Sequence, residues 1–186
     1  MSKEKINRMV GVALMSAIVV VLQLLGAFIK FGPVSISLVL VPIVVGAAMY
    51  GPGAGAILGG VFGIVVLFQP DTAFFYGISA LGTIITVMGK GILAGWLAGI
   101  AFRAVSAKNE TVAVILAAVI CPIANTGVFA MGCRLFFWNA LSDLGGGNAF
   151  VYLITVMIGF NFIAEFITNI ICSPVVLRVL HAVKKA

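Results

Sequence analysis

Six apolar stretches leave this chain few folds to choose from: Val10–Ile29, Ser35–Tyr50, Ala54–Phe68, Ile78–Phe102, Thr111–Trp138 and Phe150–Leu180. A helix crossing the ~30 Å hydrocarbon layer of a bilayer needs about 20 mostly apolar residues. Short polar breaks separate the runs, among them Lys30-Phe31-Gly32-Pro33, Gly51-Pro52-Gly53, Gln69-Pro70-Asp71 and Asn139–Asn148. Charged residues make up 9% of the chain, where a soluble domain carries about 25%. So few charges cannot give 186 residues a water-facing surface. Lipid tolerates such a surface, and inside lipid the backbone satisfies its own hydrogen bonds as helix. The fold class expected is an all-α membrane protein, a bundle of six transmembrane helices with both termini cytoplasmic, residues 1–186 forming one domain. The second and third runs are short and meet at a Gly-Pro turn. They are expected to tilt or to thin the bilayer around them.

Basic residues set the orientation. A net charge of +6 would suit a nucleic-acid partner, but its placement does not. Lys3, Lys5 and Arg8 precede the first run, Arg103 and Lys108 flank the gap after the fourth, and Arg178, Lys184 and Lys185 lie at the C-terminal end. With six spans these eight of the eleven basic residues share one side, which the positive-inside rule makes cytoplasmic. The outer loops are then Lys30–Val34, Gln69–Gly77 and Asn139–Asn148. The first run is too long for the apolar core of a cleaved signal and lacks a clear cleavage site, so it reads as a retained helix. A multi-pass protein of the cell membrane is expected. Cys121, Cys133 and Cys172 all sit in apolar runs. Their odd number argues against a disulfide framework.

Small residues recur every four positions at Ala13 and Ala17, at Gly55, Gly59 and Gly63, and at Gly91, Gly95 and Gly99. That spacing lets helix backbones approach closely in lipid. Packing inside the bundle is expected for the glycine sets. The alanine pair, which follows a basic tail, reads as packing or as a face for a partner protein. The string Gly51–Ala56 is not a phosphate loop, because no Gly-Lys-Ser/Thr follows it. His181 is the single histidine and lies in the tail, which leaves no histidine metal cluster. Glu165 is the one central carboxylate. No enzyme, metal or cofactor is expected.

Ionisable residues inside the runs carry the functional reading. Lys90, Arg134 and Glu165 each cost about 2.5–3.5 kcal/mol to insert and should face the bundle interior or a wet cavity. Asn161, Glu165, Asn169 and Cys172 fall on one helical stripe. Asn125 and Arg134 are half a turn out of phase in a straight helix. One reading pairs Glu165 with Lys90 or Arg134, with Arg134 able to snorkel to the outer interface. The other is a polar cavity open to the outside, formed by Lys90, Asn125, Arg134, Asn161 and Glu165. Its two cations and one carboxylate would favour a small solute of net negative charge, a carboxylate held bidentately by Arg134. Trp138, Phe136, Tyr76, Phe74 and Phe75 wall or lid that cavity, or else form an interfacial aromatic belt.

Together these features resemble the substrate-binding S components of energy-coupling factor (ECF) transporters. The resemblance spans nearly the whole chain. It rests on six apolar runs in a chain of this size, the Ala13/Ala17 pair and the polar residues of the fourth to sixth runs. It also rests on Ser-Ile-Ser-Leu-Val-Leu-Val-Pro-Ile-Val-Val-Gly-Ala-Ala-Met-Tyr-Gly-Pro-Gly-Ala-Gly from Ser35, similar to that family's second helix and following turn. The family is typical of bacteria. Membership implies high-affinity capture of a vitamin or similar micronutrient from outside, then docking on a coupling transmembrane protein with two ATPase subunits for ATP-driven uptake. It implies that Ala13 and Ala17 face the coupling protein, that the subunit topples in the membrane, and that the solute site lies near the outer face. The positive interior makes pantothenate the first expectation and riboflavin or another micronutrient the next. The alternative is a self-contained secondary transporter of a small organic anion. No inverted repeat is apparent, however, and one central carboxylate is thin provision for ion coupling.

Overall fold

The computed structural model describes the backbone of residues 2–28, 30–31, 34–35 and 38–185, and it is helical almost throughout. Helix α1 covers Lys3–Phe28, α2 Leu40–Tyr50 and α3 Pro52–Leu67. A 3-10 turn at Pro70–Thr72 leads into α4 (Ala73–Ile78), followed by α5 (Ala80–Ser106) and α6 (Glu110–Gly132). A π-helical stretch, Cys133–Phe137, joins α6 to α7 (Trp138–Leu144), and a second, Leu153–Ile158, joins α8 (Ala149–Tyr152) to α9 (Gly159–Lys185). A two-residue ladder pairs Lys30 with Ser35 and Phe31 with Val34. Gly32 and Pro33 of the expected first outer loop, and Ile36 and Ser37 of the second run, lie outside the described residues.

Among the described residues four helices are long and apolar enough to cross a membrane: Lys5–Gly26, Ala80–Ser106, Glu110–Leu144 and Asn161–Ala182. The pair Pro52–Leu67 and Pro70–Ile78, bent by 78°, adds a fifth if it is taken as one span. Helix α2 has 11 residues, about 16 Å at ~1.5 Å per residue. The chain is thus an all-α membrane protein. Where the sequence suggested six spans, two of them short, the described residues give four full-length helices, a bent pair and two shorter apolar helices, Leu40–Tyr50 and Ala149–Ile158.

The breaks have local causes. Gly51 adopts φ +91° between α2 and α3, a conformation that side chains resist, and Pro52 starts α3 where a missing N–H costs nothing. Pro70 opens the 3-10 turn, and the Thr72 hydroxyl donates to the Val66 carbonyl at 2.6 Å, closing the end of α3. Two expected loops are corrected. Gln69–Gly77 is mostly the 3-10 turn and α4, and in Asn139–Asn148 the helix continues to Leu144. Trp138–Leu144 contains no helix breaker, and the chain turns only at Gly146 and Gly147, with φ of +62° and +97°. Asn148 then caps the next helix by accepting from the Val151 N–H at 3.1 Å.

The glycine sets form one seam between α3 and α5. A Cβ on Gly55 would run into the Gly95 carbonyl, one on Gly59 into the Gly91 carbonyl and one on Gly99 into Pro52. Gly53 of the same helix has open space where its Cβ would be. Gly59→Ala is therefore expected to cost about 1–3 kcal/mol by overpacking, while Gly53→Ala costs nothing. Unfolding temperatures of the two purified variants check the contrast.

Packing also separates two ends. A Cβ on Gly11 would meet the Tyr50 hydroxyl, and one on Gly51 the Arg103 guanidinium. His181 Nε2 lies 3.3 Å from the Glu110 carboxylate. The early part of α1, the α2–α3 turn, the α5–α6 loop and the end of α9 therefore gather at one end, together with most of the basic residues. At the other end Gln23 Nε2 donates to Gln69 Oε1 at 3.0 Å, and Gln69 Nε2 donates to the Gln23 carbonyl at 3.2 Å. This pair ties α1 to the bend after α3.

Candidate functional site

Beside the Gln23–Gln69 tie lies a cavity of about 320 Å³, inside the range of small-molecule sites (about 300–1,000 Å³). Its wall is drawn from α1, α3, the bend at 69–72, α4, α5, α6 and α9 with the adjoining π-helical stretches. Of the residues singled out from sequence, Lys90, Asn125, Asn161 and Glu165 line it together.

Lys90 sits in mid-α5 and reaches across the seam. Its Nζ lies 5.5 Å from the Phe62 ring centre and 5.2 Å from that of Phe129, the geometry of a cation held over two π faces. Among the described residues it has no hydrogen bond or ion pair. Glu165 enters from α9. Asn125 Nδ2 donates to its Oε2 at 3.5 Å, a long bond. Helix α9 carries the expected polar stripe inward. Asn169 Nδ2 donates to the Glu165 carbonyl at 2.9 Å, and Ser173 Oγ donates to the Asn169 carbonyl at 3.1 Å. Asn169 and Ser173 stay within the helix packing, below the cavity.

Two buried atoms of residues that line the cavity have unmet hydrogen-bonding capacity, Thr86 Oγ1 being packed against Gly132. Asn125 Oδ1 and Thr86 Oγ1 are buried without a partner, their residues 6% and 3% exposed. An unmet buried polar group costs about 1–3 kcal/mol. Thr83, one turn earlier on α5, shows that a threonine here can bond its own helix, since its hydroxyl donates to the Ser79 carbonyl at 2.8 Å.

Arg134, Trp138 and Tyr76 are not on the cavity wall. Arg134 is exposed, its guanidinium 4.4 Å from the Trp138 ring centre. The half-turn offset from Asn125 holds, because the π-helical stretch begins only at Cys133. Tyr76 is exposed on α4, whereas its neighbour Phe75 is buried and lines the cavity. Phe75 packs edge-on against Phe129 (5.8 Å) and Phe137 (5.0 Å). Arg134→Ala is accordingly expected to shift solute affinity by no more than about twofold, as for a surface substitution. Titration of the purified variant checks this.

Sequence reading passed over several wall residues: Gln23, Gln69, Asp71, Thr72, Thr83, Thr86, Thr126 and the rings of Phe62, Phe129 and Phe137. A signal existed for one of them, since Gln23 is the only side-chain amide in the first apolar run. The threonines left none, being common in lipid-spanning helices. The π-helical stretches bring Phe137, Val156, Met157 and Ile158 to the wall, a widening of the helix often found at functional sites.

A family model described as the substrate-specific component of ECF transporters matches residues 7–177. No curated protein and no solved structure matches the chain.

Proposed function

The chain belongs to the substrate-specific components of ECF transporters, and from that premise we propose that it captures a vitamin-like micronutrient outside the cell for ATP-driven uptake by a separate coupling protein and two ATPases. A substrate-binding subunit of a membrane transport system follows from the family itself. The observation that carries the finer reading is the cavity, of ligand size and lined by Lys90, Asn125, Asn161 and Glu165 between aromatic rings.

The cavity lies at the end away from Arg103, Lys108 and the end of α9. With the basic end cytoplasmic, it faces outward, as capture from outside requires. Lys90, Asn125, Asn161 and Glu165 would contact the solute. The expectation of an anion, pantothenate first, drew on an interior Arg134. With Arg134 exposed, the cavity wall keeps one cation, Lys90, against two carboxylates, Glu165 and Asp71, and the charge argument for pantothenate weakens.

Docking would use α1. Its span is the least buried of the four, 17% against 44% for Glu110–Leu144. Ala13 and Ala17 are exposed on it between exposed Val10, Leu14, Ile18 and Val21. Small residues flanked by large apolar ones form a shallow groove into which another helix can pack.

Reconstitution into liposomes tests the mode of transport. Uptake is expected only when the coupling protein, both ATPases and ATP are present. Uptake by this chain alone, driven by an ion gradient, would show a secondary transporter instead.

A further inference from the structure

We propose that Arg134 and the exposed face of α6 beneath it hold an anionic phospholipid of the outer leaflet, its phosphate on the guanidinium and one acyl chain in a notch at Gly127. This goes beyond solute capture and does not depend on it. Only the choice of leaflet rests on the orientation argued above.

Depth is the first argument. From Glu110, at the basic end of the bundle, to Arg134 the helix runs about 36 Å at ~1.5 Å per residue. That exceeds the ~30 Å hydrocarbon layer, so Arg134 reaches the opposite head-group level, where lipid phosphates lie. Eight of the eleven basic residues collect at the other end, and the positive-inside rule gives an arginine on this side no part in setting orientation.

Its surroundings are the second. Arg134 is exposed between exposed Met131 and Leu135, on a lipid-facing surface and off the cavity wall. Among the described residues it has no hydrogen bond or ion pair, and Asp143, the acid nearest to it in sequence, is not joined to it. The Trp138 ring, its centre 4.4 Å from the guanidinium, steadies the cation but leaves its N–H donors to be met. A phosphodiester offers two acceptor oxygens that fit the guanidinium fork.

Shape is the third. Ile123, Gly127 and Met131 recur every fourth residue on the exposed face of α6. A Cβ on Gly127 would meet nothing within 4 Å, so packing does not call for glycine there, unlike Gly55, Gly59 and Gly99 of the seam. Glycine inside a helix is destabilising relative to alanine. What it provides here is a notch between the Ile123 and Met131 side chains, about 10 Å below Arg134. A cation at head-group level above an apolar notch at acyl depth fits a phospholipid, whereas a free anion has no use for the notch.

The test is native mass spectrometry of the full chain released from nanodiscs of equal parts phosphatidylglycerol and phosphatidylcholine. The basic end attracts anionic lipid as well, so the difference between chains is what is read. The unaltered chain is expected to keep one phosphatidylglycerol that Arg134→Gln holds about tenfold less, as for loss of a charge-assisted hydrogen bond. Arg134→Lys, which keeps the charge without the fork, should fall between the two. Gly127→Leu should lower the same occupancy by about threefold, the scale of several lost van der Waals contacts. Its unfolding temperature in detergent should not fall, because the new side chain enters open space and leucine favours helix. Free glycerol phosphate in excess should displace nothing. Equal retention of phosphatidylglycerol by the unaltered chain and Arg134→Gln, or no preference over phosphatidylcholine at the site that Arg134 controls, would overturn the inference. Displacement by glycerol phosphate would overturn it in favour of a small-anion site. Unchanged retention in Gly127→Leu would overturn the seating of the acyl chain.

Discussion

Ala17→Trp is expected to abolish uptake while leaving solute binding unchanged. Ala17 is exposed on α1, one helical turn from Ala13, and the cavity's contact with α1 is through Gln23. Six residues at ~1.5 Å each put Gln23 about 9 Å further along the helix. An indole at 17 would fill the groove where a partner helix is to pack, without touching the cavity wall. In lipid, association depends on close van der Waals packing rather than on hydrophobic burial, so lost fit is not recovered elsewhere. ATP-driven uptake in proteoliposomes should fall to background, and titration should give the unaltered affinity. Ala13→Trp should act in the same way. Uptake that survives both substitutions would move the docking face off this side of α1.

The second large effect is expected at Lys90. Lys90→Met keeps the length of the chain and removes the ammonium, the cation among the residues that line the cavity. Solute affinity should fall by about a hundredfold, since a buried hydrogen bond to a charged group is worth about 1.5–3 kcal/mol. The same change leaves Glu165 without an opposing charge in its cavity, which lowers stability. Lys90→Met with Glu165→Gln separates the two consequences. Stability should return, since Glu165 no longer leaves a buried charge without its counterpart, while binding stays lost. Recovery of binding in the double variant would assign Lys90 and Glu165 a structural role only.

Much of the fold was legible because the bilayer imposes a simple code. Apolar runs near the length of a span marked α1, α5, α6 and α9, and glycines at every fourth position marked the α3–α5 seam. What the code does not contain is how a run is divided. Ser35–Tyr50 and Phe150–Leu180 look continuous by hydropathy, yet the helix in the first covers only the 11 residues Leu40–Tyr50 and the second changes to π winding at Leu153–Ile158. That choice is made by packing, which hydropathy does not record.

For the site, the cost of placing Lys90, Asn125, Asn161 and Glu165 in lipid marked them as interior, and all four line the cavity. The same cost argument admitted Arg134, but a long side chain near a helix end escapes it by reaching the surface, here over the Trp138 ring. Helical phase carried the better information, since nine residues from a buried Asn125 point outward. Gln23 was masked by the strongly apolar run around it. The threonines became informative only through their partners: Thr83 bonds its own helix and Thr86 does not.

Substrate capture is tested most directly by native mass spectrometry of the full chain purified from growing cells in gentle detergent, with the Lys90→Met variant alongside. One small organic molecule per chain is expected on the unaltered protein and absent from the variant. An unaltered protein that carries no such molecule and gains none when incubated with a cell extract would contradict the assignment of the cavity as a solute site.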